Sequence, residues 1–128
     1  MSRRDDDVLA TRWHELMSNY QRLTCALDRE LGAAHGISAS EFEVLQQLHR
    51  GEECSLPMRQ LGESAHLSQS ALSRLVTRLV ADGLLERRAC DYDRRAQFVA
   101  LTDEGRKRYA AARETQRRVL RDEGACLK

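Results

Sequence analysis

The stretch "MRQLGESAHLSQSALSRLVTRLVADGLLERR", residues 58–88, constrains this chain most, because its pattern demands a short helix, a tight turn and a longer helix. Met58, Leu61 and Ala65 recur at helical spacing and mark the inner face of the first helix. The period fails at "AHLS", where Ser68 offers a side-chain oxygen to the unsatisfied N–H groups of the next helix. In that helix Leu72, Leu75, Val76, Leu79 and Val80 form one apolar stripe, which leaves Gln69, Ser70, Ser73, Arg74, Thr77 and Arg78 on the opposite face. Gly83 stops it. The pattern then shortens to strand alternation: "LLERRAC" and "QFVALT" read as two short strands, Val99 and Leu101 alternating with Phe98 and Ala100, with the charged "DYDRR" as the hairpin tip.

Long helices flank this unit. From Leu9 the apolar residues Leu9, Trp13, Leu16, Tyr20, Leu23, Leu27 and Leu31 fall on one helical stripe, and a near-heptad seam of that length suits packing on a partner chain as well as on the chain's own core. Gly36 ends the helix. Ser38 with Glu41 then forms a capping box, and Ile37 with Phe42 a hydrophobic staple, for a helix running to about Arg50. "GEECSLP" reads as a break. After the hairpin, Thr102 caps a last helix whose first turn carries Asp103 and Glu104, and "GRKRYAAARETQRRVLR" continues it with a basic face.

At 128 residues, 5% aromatic and 32% charged, the chain has the length of one domain and the composition of a helical, water-facing one. No apolar run reaches the roughly 18 residues of a membrane span, and "MSRRDDDVLATRW" lacks a signal peptide's apolar core, so no membrane partner and a cytoplasmic location are expected. Cys25, Cys54, Cys90 and Cys126 are widely spaced and have no histidine grouping at zinc-ligand spacing, which predicts no metal and reduced thiols. His14, His35, His49 and His66 are scattered, and no glycine-rich phosphate loop is present. Neither an enzyme nor a cofactor is expected.

Net charge is only +1, but its distribution is uneven. Residues 40–53 carry Glu41, Glu43, Glu52 and Glu53 against Arg50, whereas residues 74–95 carry Arg74, Arg78, Arg87, Arg88, Arg94 and Arg95 against four acids. Short hydroxyl side chains on the outer face of the second helix allow close approach to a DNA groove. There Gln69 can bond adenine at two points, and Arg74 or Arg78 can bond guanine or a phosphate. Arg94 and Arg95 at the hairpin tip suit the negative potential of a minor groove, with Asp93 placed to hold a guanidinium. Ser68, Gln69, Ser70, Ser73, Arg74, Thr77, Arg78, Arg94 and Arg95 are therefore the expected DNA contacts, with Asp93 as wing support.

The order "LGESAHLSQSALSRLVTRLVADGLLERR" then "DRRAQFVALTDEGR" resembles the MarR family of winged-helix transcriptional regulators over roughly residues 10 to 115. That resemblance implies a mainly α fold with a small β-hairpin wing. The expected organisation is a single winged-helix domain over 1–128, with dimerisation helices at about 8–35 and 102–124 and a DNA-binding winged helix-turn-helix at about 37–101. The resemblance further implies a homodimer, formed by intertwined first and last helices, acting as a ligand-responsive repressor on a pseudo-palindromic double-stranded operator. The sequence departs from the pattern at "GACLK", where relatives usually continue into a further helix, and at Cys90 and Asp91, where they commonly carry an aspartate and a proline. "TRWHELMSNY" and "SASEFEVLQQL" look like a subgroup that answers to urate or similar small anions. The resemblance would place Trp13, Glu43 (or Glu41) and Arg74 around a small anionic aromatic or carboxylate effector, although the place of Trp13 on the apolar stripe already explains it as a core and dimer-seam residue. Two other readings share the fold: a protein-interaction module with no need of Arg94 and Arg95, and a thiol-based redox regulator acting through Cys90.

Overall fold

The computed structural model describes residues 2–89 and 97–128. Its elements are α1 (Arg3–His35), α2 (Ala39–Arg50), β1 (Ser55–Pro57), α3 (Met58–Ser64), α4 (Gln69–Ala81), β2 (Leu85–Ala89), β3 (Gln97–Leu101) and α5 (Asp103–Glu123). Short 3-10 turns follow α2 and α5. Fold class agrees with the sequence reading: a mainly helical chain around a small antiparallel sheet, with long helices at either end.

The caps explain why the helices begin where they do. Ser38 Oγ accepts from Glu41 N and the Glu41 carboxylate accepts from Ser38 N, which satisfies two donors of the α2 N-terminus reciprocally. Ile37 and Phe42 on either side of that cap are both buried in the core. Thr102 Oγ1 accepts from Gly105 N to cap α5 and donates to the carbonyl of Gly83, so one hydroxyl ties the last helix to the turn after α4. Gly83 has φ 80°, a left-handed conformation that glycine reaches without strain.

Two elements depart from the sequence expectation. Helix α1 starts at Arg3, five residues before Val8, because Ser2 and Asp5 form a capping box of their own. Apolar periodicity gives no sign of it, since Arg3 to Asp7 are all charged. The stretch read as a break contains β1, which pairs antiparallel with β3 (Ser55 with Ala100, Leu56 with Val99), so the sheet has the order β1-β3-β2 rather than being a two-stranded hairpin. Three residues are too few to show alternation, and Pro57 is tolerated because β1 is an edge strand.

The core gathers Leu31 from α1, Phe42, Val44, Leu45 and Leu48 from α2, Leu61 from α3, Leu72, Val76 and Leu79 from α4, Val99 and Leu101 from β3, and Tyr109 and Ala112 from α5. Tyr109 stacks between Phe42 and His49, with ring centroids 5.5 and 4.6 Å away. Helix α5 lies along the C-terminal half of α1. Arg108 donates to the carbonyl of His35 (2.8 Å), His35 Nε2 meets Thr115 Oγ1 (2.7 Å), and Arg22 donates to the carbonyl of Glu123 (3.0 Å). Among the described residues no helix is long and apolar enough to cross a membrane.

Candidate nucleic-acid interface

Helix α4 is presented by the turn before it. Leu67 N donates to Gly62 O (2.9 Å), His66 adopts a left-handed φ of 57°, and Ser68 Oγ accepts from Ala71 N (3.2 Å). Gly62 eases this close approach, because a Cβ there would sit only 3.3 Å from the Leu67 carbonyl oxygen and would displace the Gln69 amide. Leu72, Val76 and Leu79 are fully buried on the inner face, with Leu75 and Val80 packed at its edges. Gln69, Ser70, Ser73, Arg74, Thr77 and Arg78 are all exposed on the outer face.

Those outer residues are not equivalent. Ser68 Oγ is occupied as the cap and lies 3.3 Å from Ser70 Oγ. Thr77 Oγ1 donates to the carbonyl of Ser73 (2.8 Å) and accepts from Arg87 Nη2 (2.8 Å), so Thr77 is joined to the base of the wing. Arg78 Nε stands 3.7 Å from Glu41 Oε2 of α2. Among the described residues no hydrogen bond or ion pair engages the side chain of Arg74 or Gln69, which leaves both available to a groove. Arg94, Arg95, Asp93 and Cys90 lie outside the described residues.

Arg87 is a site residue that sequence reasoning did not single out. On β2 it pairs with Val99 of β3 and sends its guanidinium across to α4, adding a positive group beside the outer face. No spacing rule links Arg87 to Thr77, since the two belong to different periodicities on either side of the Gly83 turn. Arg88 on the same strand donates from both Nε and Nη2 to Glu86, which neutralises it locally.

Of the three residues assigned to an effector, Trp13 lies on the N-terminal half of α1 and is 63% exposed. Glu43 accepts weak bonds from Gln46 and Gln47 (3.4 and 3.5 Å), and Arg74 is on the outer face of α4. No hydrogen bond, ion pair or ring contact joins them among the described residues. The acid and arginine that do meet between α2 and α4 are Glu41 and Arg78.

A model of the MarR family matches residues 35–96, from the end of α1 to the stretch that precedes β3. The chain is 27% identical over 108 residues to the uncharacterized HTH-type transcriptional regulator YdgJ of Bacillus subtilis (strain 168), covering 84% of this chain and 65% of that protein, so it spans less than two thirds of that relative's length. Its backbone matches Sco3205, a MarR family transcriptional regulator of Streptomyces coelicolor crystallised in complex with DNA, with a TM-score of 0.84 and 28% identity over 89% of this chain and 71% of that one. A MarR family transcriptional regulator from Silicibacter pomeroyi is 32% identical, with a TM-score of 0.69 over 81% of this chain and 68% of that one. With the winged helix-turn-helix built as described and a relative of that identity matched over two thirds of its length, this chain belongs to the MarR family.

Proposed function

We propose that this protein is a DNA-binding transcriptional regulator, a ligand-responsive repressor that reads duplex DNA with the outer face of α4. The observation that carries this reading is the division of α4 into a buried apolar face and an exposed face of hydroxyls, amide and guanidiniums, with Arg87 beside it. The similarity to Sco3205, crystallised with DNA, supports it. Gln69 and Arg74 serve as base-reading side chains, Ser70 and Ser73 allow close approach, and Arg94 and Arg95, which lie between β2 and β3 in the sequence, add sequence-independent attraction. The protein works in the cytoplasm, and no catalytic role is part of this reading.

The same reading includes a homodimer on a pseudo-palindromic operator. Its support is the row Val8, Leu9, Trp13, Leu16, Met17 and Tyr20, large apolar side chains that α1 leaves exposed on its N-terminal half. Two recognition helices related by a two-fold axis would then meet half-sites about one turn, ~10 base pairs, apart. A small anionic aromatic or carboxylate effector acting near Trp13, Glu43 and Arg74 is the third part, supported by the resemblance of "TRWHELMSNY" to the urate-responsive subgroup.

Duplex binding followed by fluorescence anisotropy at increasing salt tests the central part. The expected result is binding that weakens steeply with salt, with a flatter slope when Arg94 and Arg95 are both alanine. A chain that ignores duplex DNA at low salt rejects it and leaves the protein-interaction module. Titrating urate and other planar carboxylates while following fluorescence of Trp13, the only tryptophan, tests the effector.

A further inference from the structure

We propose that Glu41, buried in α2, is a positioning residue that sets the direction in which Arg78 leaves α4 toward DNA, a role that rests on the DNA-binding reading above. The two oxygens of Glu41 have different surroundings. Oε1 accepts the Ser38 N–H at 2.9 Å and completes the helix cap. Oε2 is fully buried, has no hydrogen-bond partner among the described residues, and stands 3.7 Å from Arg78 Nε. The Glu41 side chain is 5% exposed while that of Arg78 is 68% exposed, so the pair joins a fixed, dry acceptor to an outward-reaching base.

The cap alone does not call for a carboxylate. Glutamine at the same position closes a capping box equally well, with its amide oxygen on the Ser38 N–H. What glutamate adds is a charge, and among the described residues the cation at ion-pair distance from it is Arg78. A buried carboxylate oxygen without a donor is costly, and a guanidinium at its edge is the group that relieves the cost.

Geometry decides what the pair does for Arg78. The guanidinium is a flat fork of five donors, and the closest approach to Glu41 is through Nε, the donor nearest the helix. Pairing through Nε leaves the two terminal nitrogens of the exposed guanidinium for a paired contact with a phosphate or a guanine edge. The anchor itself cannot follow the arginine outward. Glu41 sits in the first turn of α2, whose first residue, Ala39, donates its N–H to Asp28 Oδ1 of α1 at 2.7 Å. Arg78 therefore loses rotamer freedom before DNA arrives, and part of the ordering that binding requires is already done.

The test is a double-mutant cycle with Glu41→Gln, which keeps the cap, and Arg78→Ala, read by anisotropy on a duplex that the wild-type chain selects from a random-sequence pool. Glu41→Gln is expected to weaken binding about fivefold or more in the wild-type background and to have no effect once Arg78 is alanine. Thermal melting of each variant runs alongside, and Glu41→Gln should melt near the wild-type temperature. The Arg78 Nε–Hε resonance of the DNA-free, nitrogen-15-labelled protein gives an independent readout, and it should shift in Glu41→Gln as the neighbouring charge is removed. An unchanged resonance, an unchanged affinity, or an equal loss in both backgrounds overturns the proposal while leaving DNA binding intact. A wild-type chain that selects no duplex rejects the DNA-binding reading itself, and the positioning role with it.

Discussion

The two halves of α1 carry the same apolar stripe and have opposite fates. Toward the C-terminus Leu23, Ala26 and Leu31 are buried, and Leu27 packs against the core. Toward the N-terminus Leu9, Leu16 and Tyr20 continue the stripe at the same spacing but are 52%, 59% and 72% exposed. The boundary falls near Arg22, which reaches across to the carbonyl of Glu123 at the end of α5. What separates the halves is the length of the helix that covers them: α5 has 21 residues against 33 in α1. An amphipathic stripe thus states that a face must be covered without saying by what, and exposed apolar side chains in a contiguous row mark a surface for another molecule.

The largest effect expected from this contrast is on stability. Leu31→Ala removes a fully buried side chain at the junction of α1 and the core, and should cost about 2–5 kcal/mol in chemical denaturation. Trp13→Ala in the exposed half should leave the folding of the protomer nearly unchanged and weaken self-association by roughly 2 kcal/mol, seen by sedimentation equilibrium, as a central aromatic of an interface does. If Trp13→Ala lowered the melting temperature as much as Leu31→Ala under conditions where the chain is monomeric, the two halves would not differ as described.

The same contrast between a buried and an exposed face holds on α4, where the proposed partner is DNA rather than a second chain. Arg74→Ala should cost about 1–3 kcal/mol at particular base pairs, measured on a panel of singly substituted duplexes, and leave thermal stability alone. A uniform loss over the whole panel would make Arg74 a phosphate contact. Smallest is Arg22→Ala, which removes an exposed hydrogen bond at the boundary on α1. It should cost no more than about 1 kcal/mol, read as faster amide exchange in the last turn of α5 than in its middle.

The outline of this fold is legible in its residues because caps, glycines and periodicities are local. Ser38, Gly36, Thr102 and Gly83 act within a few residues of themselves, and each ends or begins an element as its chemistry requires. Edge strand β1 escaped such reading because its stability comes from β3, more than forty residues away in sequence, rather than from its own three residues. The outer face of α4 was equally legible, since a helix with five apolar residues on one side must expose the other. Which of its side chains are free was not. Thr77 looks like Ser73 in the sequence, yet its hydroxyl is taken by Arg87 from the wing. Glu41 looks like an ordinary capping residue, yet its second oxygen faces an arginine of α4.

The sequence by itself determined the order of the helices and of the two hairpin strands, the caps at Ser38, Ser68 and Thr102, and the division of α1 and α4 into apolar and polar faces, because these depend on backbone geometry and on neighbours within one or two turns. Only the tertiary structure decided that α5 covers half of α1, that Arg87 reaches Thr77, and that Arg78 rather than Arg74 meets a buried acid of α2. Those outcomes depend on which faces are brought together when the core around Phe42, Leu72 and Tyr109 closes, and distances across that core follow from the packing of whole elements rather than from the spacing of residues along any one of them.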